Sequence, residues 1–382
     1  MSVHGQSRFK ELVEEIQNQR EDNELHWFVD EIVIPEFPQI VETLHICSNL
    51  LLYNSPQHPD PQNRIERGPA IKLPVSSSKS ESLKGIVVRD GAYITQFQVA
   101  IRDPYFNRYF NKVHLVKPIL LNQIINTKVA IDDSTQLMQD LSNMRETLAD
   151  QKDHDIYHKK LIKSFENLLS NIHTAKTNLQ LPTDPNLVFP LKITPSDAFA
   201  PILPQTITVD FYISQAEICI DMKSLYKIVE KPWSEVDPRT GKSHVDKVRD
   251  EMKLSSSSTS SVHAPEDRQL ESLSDSVSTT GSSSKVEHGS EVSEKPPAHG
   301  RDDSSASAGG FLSNVMSHFK PKYDPMDYIT RCITYDGIVV MVNKKLEVST
   351  EDPVLVSCFT KLDTIEYLIR KFLKSLNDLT CY

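Results

Sequence analysis

The last apolar repeat of the chain, Val354 to Leu376, limits its possible folds more than any other stretch. Leu355, Cys358, Leu362, Ile365, Ile369, Phe372 and Leu376 recur at spacings of three, four, three, four, three and four. That rhythm is the a/d seam of a helix packed lengthwise against other helices. The opposite face carries Lys361, Asp363, Glu366, Arg370, Lys371 and Lys374. Burying one such seam does not offset the conformational entropy lost in ordering the helix. Partner helices are therefore required, either from earlier in this chain or from another chain.

Earlier tracts can supply them. Leu25, Trp27, Phe28 and Ile32 are followed, past Pro35 and Pro38, by Phe37, Ile40, Val41, Leu44, Cys47 and Leu51. Proline lacks a backbone donor and crowds the preceding turn, so Glu24–Leu52 reads as one kinked helix or two collinear pieces. Leu120, Leu121, Ile124, Ile131, Met138, Leu141 and Leu148 predict a helix over Val113–Leu148, with Pro118 in its first turn. Leu161, Phe165, Leu168, Ile172, Ala175 and Leu179 predict another over Asp155–Leu179, ended by Pro182 and Pro185. Ser7–Gln19 adds a weaker helical scatter (Phe9, Leu12, Val13, Ile16). Antiparallel packing of the long helices into one bundle is the economical arrangement.

Between the helices the period changes to two. Ala70–Val75 and Lys84–Val88 read as extended. Asp90-Gly91 between apolar runs signals a hairpin, because such turns favour residues tolerant of positive φ. Its second strand sets Tyr93, Thr95, Phe97, Val99 and Ile101 against Ile94, Gln96 and Gln98, one face buried and the other wet. Ile207, Val209, Phe211 and Ile213 alternate in a later strand, continued by Ile218, Ile220 and Met222 after a turn at Ser214-Gln215. Asp336-Gly337 joins Thr330–Tyr335 to Ile338–Asn343, with Leu346 to Val348 extending that strand. The expected fold class is α+β, an elongated two-domain protein. Residues 7–55, 113–182 and 351–377 would form the antiparallel helical bundle, and residues 68–112, 186–230 and 327–350 an antiparallel β-sheet domain, both discontinuous in sequence.

Residues 231–326 read as a disordered insertion. From Met252 to Ala308, 18 of 57 residues are serine and none is Phe, Tyr or Trp, too little apolar area to offset ordering. Serines beside acids, Ser274-Asp275 and Asp303-Ser304, would suit a phosphorylated loop or a neutral insertion. Phe311, Leu312, Val315, Met316 and Phe319 recur at helical spacing and would suit a docking helix or a segment folded back on the sheets.

Composition narrows function by exclusion. The 382 residues give room for two domains, and the net charge of −10 disfavours nucleic-acid binding through bulk electrostatics. No apolar run approaches the ~20 residues of a membrane span, and the start, MSVHGQSRFKELVEE, has no apolar signal region. Cys47, Cys219, Cys332, Cys358 and Cys381 are scattered and never in CxxC spacing, which fits buried thiols in a reducing compartment. There is no GxxxxGK[ST], GxGxxG or GxSxG, and only 11 glycines occur. His154 and His158 stand four apart, the spacing of a shared metal, but no third ligand lies nearby in sequence, and a solvated helix start with its acids favoured by the helix dipole is the better account of them. An enzyme would need a site assembled from distant residues, for instance between the two domains.

Phe199-Ala200-Pro201-Ile202-Leu203-Pro204, leading into Thr206–Ile213, resembles the FAPxLP segment and following strand of the Rogdi family, with Val209–Ile213 one residue longer than the usual spacing. Leu25–Ile32 resembles the family's first helix, and Leu83–Val88 with Asp90-Gly91-Ala92 its first hairpin. The serine-rich excursion resembles fungal-type members, which serve in a RAVE-type complex. The resemblance implies a non-catalytic adaptor that promotes joining of the V1 and Vo sectors of the vacuolar proton-pumping ATPase. It implies as partners a large β-propeller-containing RAVE subunit, a Skp-type adaptor and the V1 sector, with cytoplasmic residence and peripheral recruitment to vacuolar and endosomal membranes. It implies no catalytic residue, metal or cofactor. Phe199, Ala200, Pro201, Leu203 and Pro204 would shape the turn into the strand. The other readings are a trafficking scaffold whose last helix pairs in trans and the enzyme above.

Overall fold

The computed structural model describes residues 23–77, 82–148, 154–258 and 323–380. Four long helices carry the apolar stripes: α1, a helical tract over residues 23–53; α3, Asn122–Leu148; α4, His154–Gln180; and α7, Pro353–Thr380. Between them lie short α2, Pro104–Asn107, α5, His244–Ser258, and α6, Pro325–Arg331. The two prolines of α1 do not break it. A π turn at Val29–Val33 and a 3-10 turn at Ile34–Glu36 absorb the missing donors, and an α-helix resumes at Phe37–Tyr53. Val29, Val33, Phe37, Ile40, Leu44, Cys47 and Leu51 are buried along one side throughout.

The helices close a ring in which α1 packs on α3 and α7, and α4 packs on α3 and α7. Each neighbouring pair is antiparallel. Cys47 lies opposite Cys358 and Phe28 opposite Phe372. Ser48 faces Asp132 and Asp30 faces Arg145. Lys176 faces Asp363, and Phe165 stacks on Phe372. All seven seam residues of α7 are buried, none more than 3% exposed.

Among the described residues ten strands form two antiparallel sheets: β1 Ile71–Ser76, β2 Leu83–Asp90, β3 Tyr93–Ile101, β4 Lys112–Leu115, β5 Ile119–Leu120, β6 Phe199–Ala200, β7 Ile207–Ser214, β8 Glu217–Lys227, β9 Cys332–Tyr335 and β10 Ile338–Glu351. The first sheet runs β1-β2-β3-β4-β6, with β5 also on β3; the second runs β7-β8-β10-β9. Their inner faces meet through Phe97, Phe199 and Phe211, with Phe97 edge-on to Phe211 at 5.1 Å between ring centroids. One hydrophobic core runs from these faces into the bundle.

Several expectations need correction. The α3 helix starts at Asn122, not Val113. Val113 and Leu115 alternate inward with His114 exposed, so this segment completes the first sheet before the helix begins. At the first hairpin the loop is Gly91-Ala92, and only Gly91 takes positive φ. The register slips between Val88 and Arg89, leaving Thr95 as an extra residue on β3. Burial therefore changes phase there: Ile94 is buried and Tyr93 is 48% exposed, while Phe97, Val99 and Ile101 still point inward. At the other Asp-Gly signal, Asp336 and Gly337 both take positive φ. Residues 231–258, expected within the insertion, hold a short bridge, Val236 with Ser243, and helix α5.

The chain forms two compact units, Met1–His244 with Arg331–Tyr382, which holds the bundle and both sheets, and Val245–Thr330. Within the second unit Arg249 Nε donates to the Ile329 carbonyl at 2.6 Å, tying α5 to α6. The expectations for Ser7–Gln19, Ser274, Ser304 and Phe311–Phe319 lie outside the described residues.

Between α4 and α7, Lys176 Nζ stands 2.5 Å from both Asp363 and Glu366, and Arg370 donates twice to Glu366. Burial pushes Glu366 up, but the bonds from Lys176 and Arg370 outweigh it and hold the carboxyl below its usual range. A depressed carboxylate contributes stability above the unfolded value of about 4.3, lost as pH falls through the folded one. The thermal-stability advantage of the native chain over Glu366→Gln should therefore shrink steadily on acidification below about pH 4.3; a constant difference would remove the pair from the stability account. Ile365→Asp should place an unpaired charge in the seam and abolish the bundle. Retention of helical circular dichroism and the native melting temperature would show the seam to be misplaced.

Candidate functional site

A buried polar network lies where the bundle meets the first sheet. On β2 Arg89 lies on the same inward face as Leu83 and Val87, and Val87, Val88 and Arg89 are buried in succession. Arg89 Nε bonds Asp352 Oδ2 at 2.6 Å and Nη2 bonds Oδ1 at 3.1 Å, with both side chains fully buried. Nη1 donates to Asn54 Oδ1 at 3.0 Å and to the Gly91 carbonyl at 2.7 Å.

Each partner closes an element. Asp352 caps α7, its Oδ1 accepting from the amides of Val354 at 3.0 Å and Leu355 at 3.1 Å. Asn54 ends α1 in the left-handed region, φ 53°, and its Nδ2 donates to Pro69 and Asp90. Gly91 has φ 57°, and a Cβ there would stand 2.5 Å from the Leu52 carbonyl, so only glycine fits. One guanidinium thus holds the end of α1, the tip of the β2–β3 hairpin and the start of α7.

A second joint secures the other sheet. Gln123 Nε2 donates to the carbonyls of Asn178 and Ile213, and its Oε1 accepts from the Ile213 amide at 2.7 Å. The β7–β8 turn residues Gln215 and Ala216, both at positive φ, donate their amides to the terminal carbonyls Gln180 and Leu179 of α4.

The FAPxLP residues carry the chain between sheets. Ala200 and Phe199 pair with His114 and Leu115 of β4, and Phe199 lies between the sheets. Leu203 is buried, its amide bonded to the Ser196 carbonyl; the Pro204 carbonyl accepts from Ile207 at the start of β7. Ile202 is 69% exposed.

On the outer side of the second sheet Asp210 and Asp221 face each other across β7 and β8, with Lys223 Nζ 2.6 Å from Asp221 and 3.8 Å from Asp210. The preceding loop covers them: Thr194 donates to Asp210 Oδ1 and Lys192 to the Phe211 carbonyl. Burial pushes Asp210 up, opposed by Lys223 and Lys192, and pushes Lys192 down. These contacts tie the loop to the outer side of the second sheet.

Among the described residues no three His, Cys, Asp or Glu side chains are placed to hold a metal ion. His158 is not solvated; it is buried, its ring 5.4 Å from that of His26 across the bundle. Cys47, Cys219, Cys332 and Cys358 are buried free thiols, and Cys47 and burial together raise Cys358 well above its ordinary value. Among the described residues, one open depression of about 430 Å³ is lined by Leu52, Tyr53, Ala92, Tyr93, Pro118 and Ile125, with Arg67 and Asp90 also lining it, 2.6 Å apart. Among the described residues no helix is long and apolar enough to cross a membrane.

Sequence reading missed the Arg89 joint. Asp352-Pro353 was a legible start signal, an N-cap acceptor followed by proline at the first helical position; nothing local marked Arg89 as buried. Arg89→Met strands a buried carboxylate and should cost about 3–5 kcal/mol in urea unfolding. Arg89→Met with Asp352→Asn, which keeps a capping acceptor, should recover a large part. Equal losses in the single and double variants would show that the pair does not act as a unit.

A family described as Rogdi leucine zipper containing protein matches residues 24–377. The chain is 24% identical over 366 residues to Regulator of V-ATPase in vacuolar membrane protein 2 of Saccharomyces cerevisiae, covering 90% of this chain and 87% of the yeast protein. Matched from the first described helix to the last zipper residue, the chain belongs to the Rogdi leucine zipper family.

Proposed function

We propose that this chain regulates the V-ATPase as a non-catalytic adaptor of a RAVE-type complex, promoting the joining of the V1 and Vo sectors and so organelle acidification. The observation that carries this is the near-full-length relationship to a yeast V-ATPase regulator. In this reading the chain works from the cytoplasm and reaches vacuolar and endosomal membranes through its partners: a large β-propeller-containing subunit, a Skp-type adaptor and the V1 sector. The fold supports the adaptor role in a specific way. The zipper seam is spent inside the chain, against α1 and α4. A scaffold that pairs its last helix in trans would have to expose those seven side chains, so partners are met by outer surfaces instead. Affinity purification of the tagged full-length chain from cytosol, with identification of what accompanies it, tests this. V1 subunits together with a large β-propeller protein are expected; recovery of the chain alone or only self-associated would refute it.

A further inference from the structure

The outer face of the first sheet has a charge opposite to that of the whole chain. Cross-strand register places Ser76, Lys84, Ala100 and Lys112 in one row, and Pro74, Ile86, Gln98, His114 and Ala200 in the next. Lys72 lies on the same face of β1. These side chains are exposed or half-buried, with Ile86 41% exposed. Lys84 and Lys112 flank Ala100 at two strand spacings, about 10 Å. None of the three lysines has an ion pair or hydrogen bond, unlike Lys176, Lys223 and Lys345 elsewhere. Among the described residues no Asp or Glu belongs to these rows; the adjoining Asp103 is buried as the cap of α2.

The β3–β4 connection adds exposed aromatics at the end of the sheet that carries Lys112. Tyr105 and Tyr109 are both more than 40% exposed. The Arg108 guanidinium lies 4.9 Å from the Tyr109 ring centroid, and Thr206 donates to the Tyr109 hydroxyl at 3.1 Å, so Tyr109 is held in place. Tyrosine and arginine are the residue types that dominate binding at protein interfaces.

We propose that this face, Lys72, Lys84 and Lys112 around a floor of Ile86, Gln98 and Ala100, docks an acidic polypeptide segment with apolar residues among its carboxylates. The charge pattern selects a polypeptide over an anionic lipid surface. A segment lying across the rows meets three unpaired cations, screened from the remaining charge beyond about 8–10 Å. A membrane would meet a chain whose net charge is −10 and a face with a single large aliphatic side chain to insert. The inference rests on the chemistry of the face and not on the V-ATPase reading.

The test titrates the full-length chain into a fluorescein-labelled dodecapeptide of glutamates with a central Leu-Ile pair, followed by anisotropy. Its Gln-for-Glu counterpart is the uncharged control. The native chain should bind the acidic peptide, more weakly as salt rises. Lys72→Gln/Lys84→Gln/Lys112→Gln should bind at least tenfold more weakly with an unchanged melting temperature. Lys159→Gln/Lys160→Gln/Lys163→Gln on α4 should bind like the native chain. Absence of binding, equal binding by the sheet variant, or an equal loss in the α4 variant would overturn the proposal. So would lysine-dependent pelleting with phosphatidylserine vesicles in place of peptide binding.

Discussion

A buried charge pair decides how this molecule is joined. Arg89 and Asp352 lie 263 residues apart and have no access to water, yet the guanidinium makes four bonds. The carboxylate answers with two bonds to arginine and two to the first amides of α7. Isolated, either charge would be costly in this interior; together they leave little unsatisfied. The same guanidinium fixes Asn54 and Gly91, so three elements are positioned by one side chain. The C-terminal helix then runs between α1 and α4 and completes the bundle from a start set by the sheet.

The sequence announced the helices because their packing is linear. A seam read at three and four residue steps survives even two prolines in α1, where a π turn and a 3-10 turn preserve the buried stripe. The Asp336-Gly337 hairpin was legible for a local reason, since both residues tolerate positive φ. What sequence reading missed depends on distant neighbours. Val113–Leu115 reads as the start of the helical tract because Val113 and Leu115 suit either period, and only the partners β3 and β6 make it part of a strand. The phase change at Thr95 hid the burial of Ile94, and the partner that lets Arg89 face inward, Asp352, lies 263 residues away. Serine content obscured α5, whose apolar Val245 and acidic first turn lie upstream of the serine run. The FAPxLP residues were recognisable as a motif, but their position between two sheets required both sheets to be seen.

For a protein of this family the distribution of interior chemistry has a functional consequence. Several titratable groups below the surface have charged neighbours: Asp210 has Lys223, and Glu366 has Lys176 and Arg370. They stiffen loops and helix pairs. The leucine-zipper seam likewise serves the chain's own bundle. The depression beside Tyr93 and the lysine-bearing sheet face stay outside this interior network.

Hydrogen exchange followed by mass spectrometry, on the native chain over a range of sub-denaturing urea, tests the central claim most directly. If Arg89 and Asp352 join bundle and sheet into one cooperative body, amides in Phe97–Ile101 of β3 and in Leu362–Phe372 of α7 should open with the same free energy and the same urea dependence. Exchange of the β3 amides through an opening that leaves α7 protected would contradict it, and would make the bundle and the sheet separate folding units.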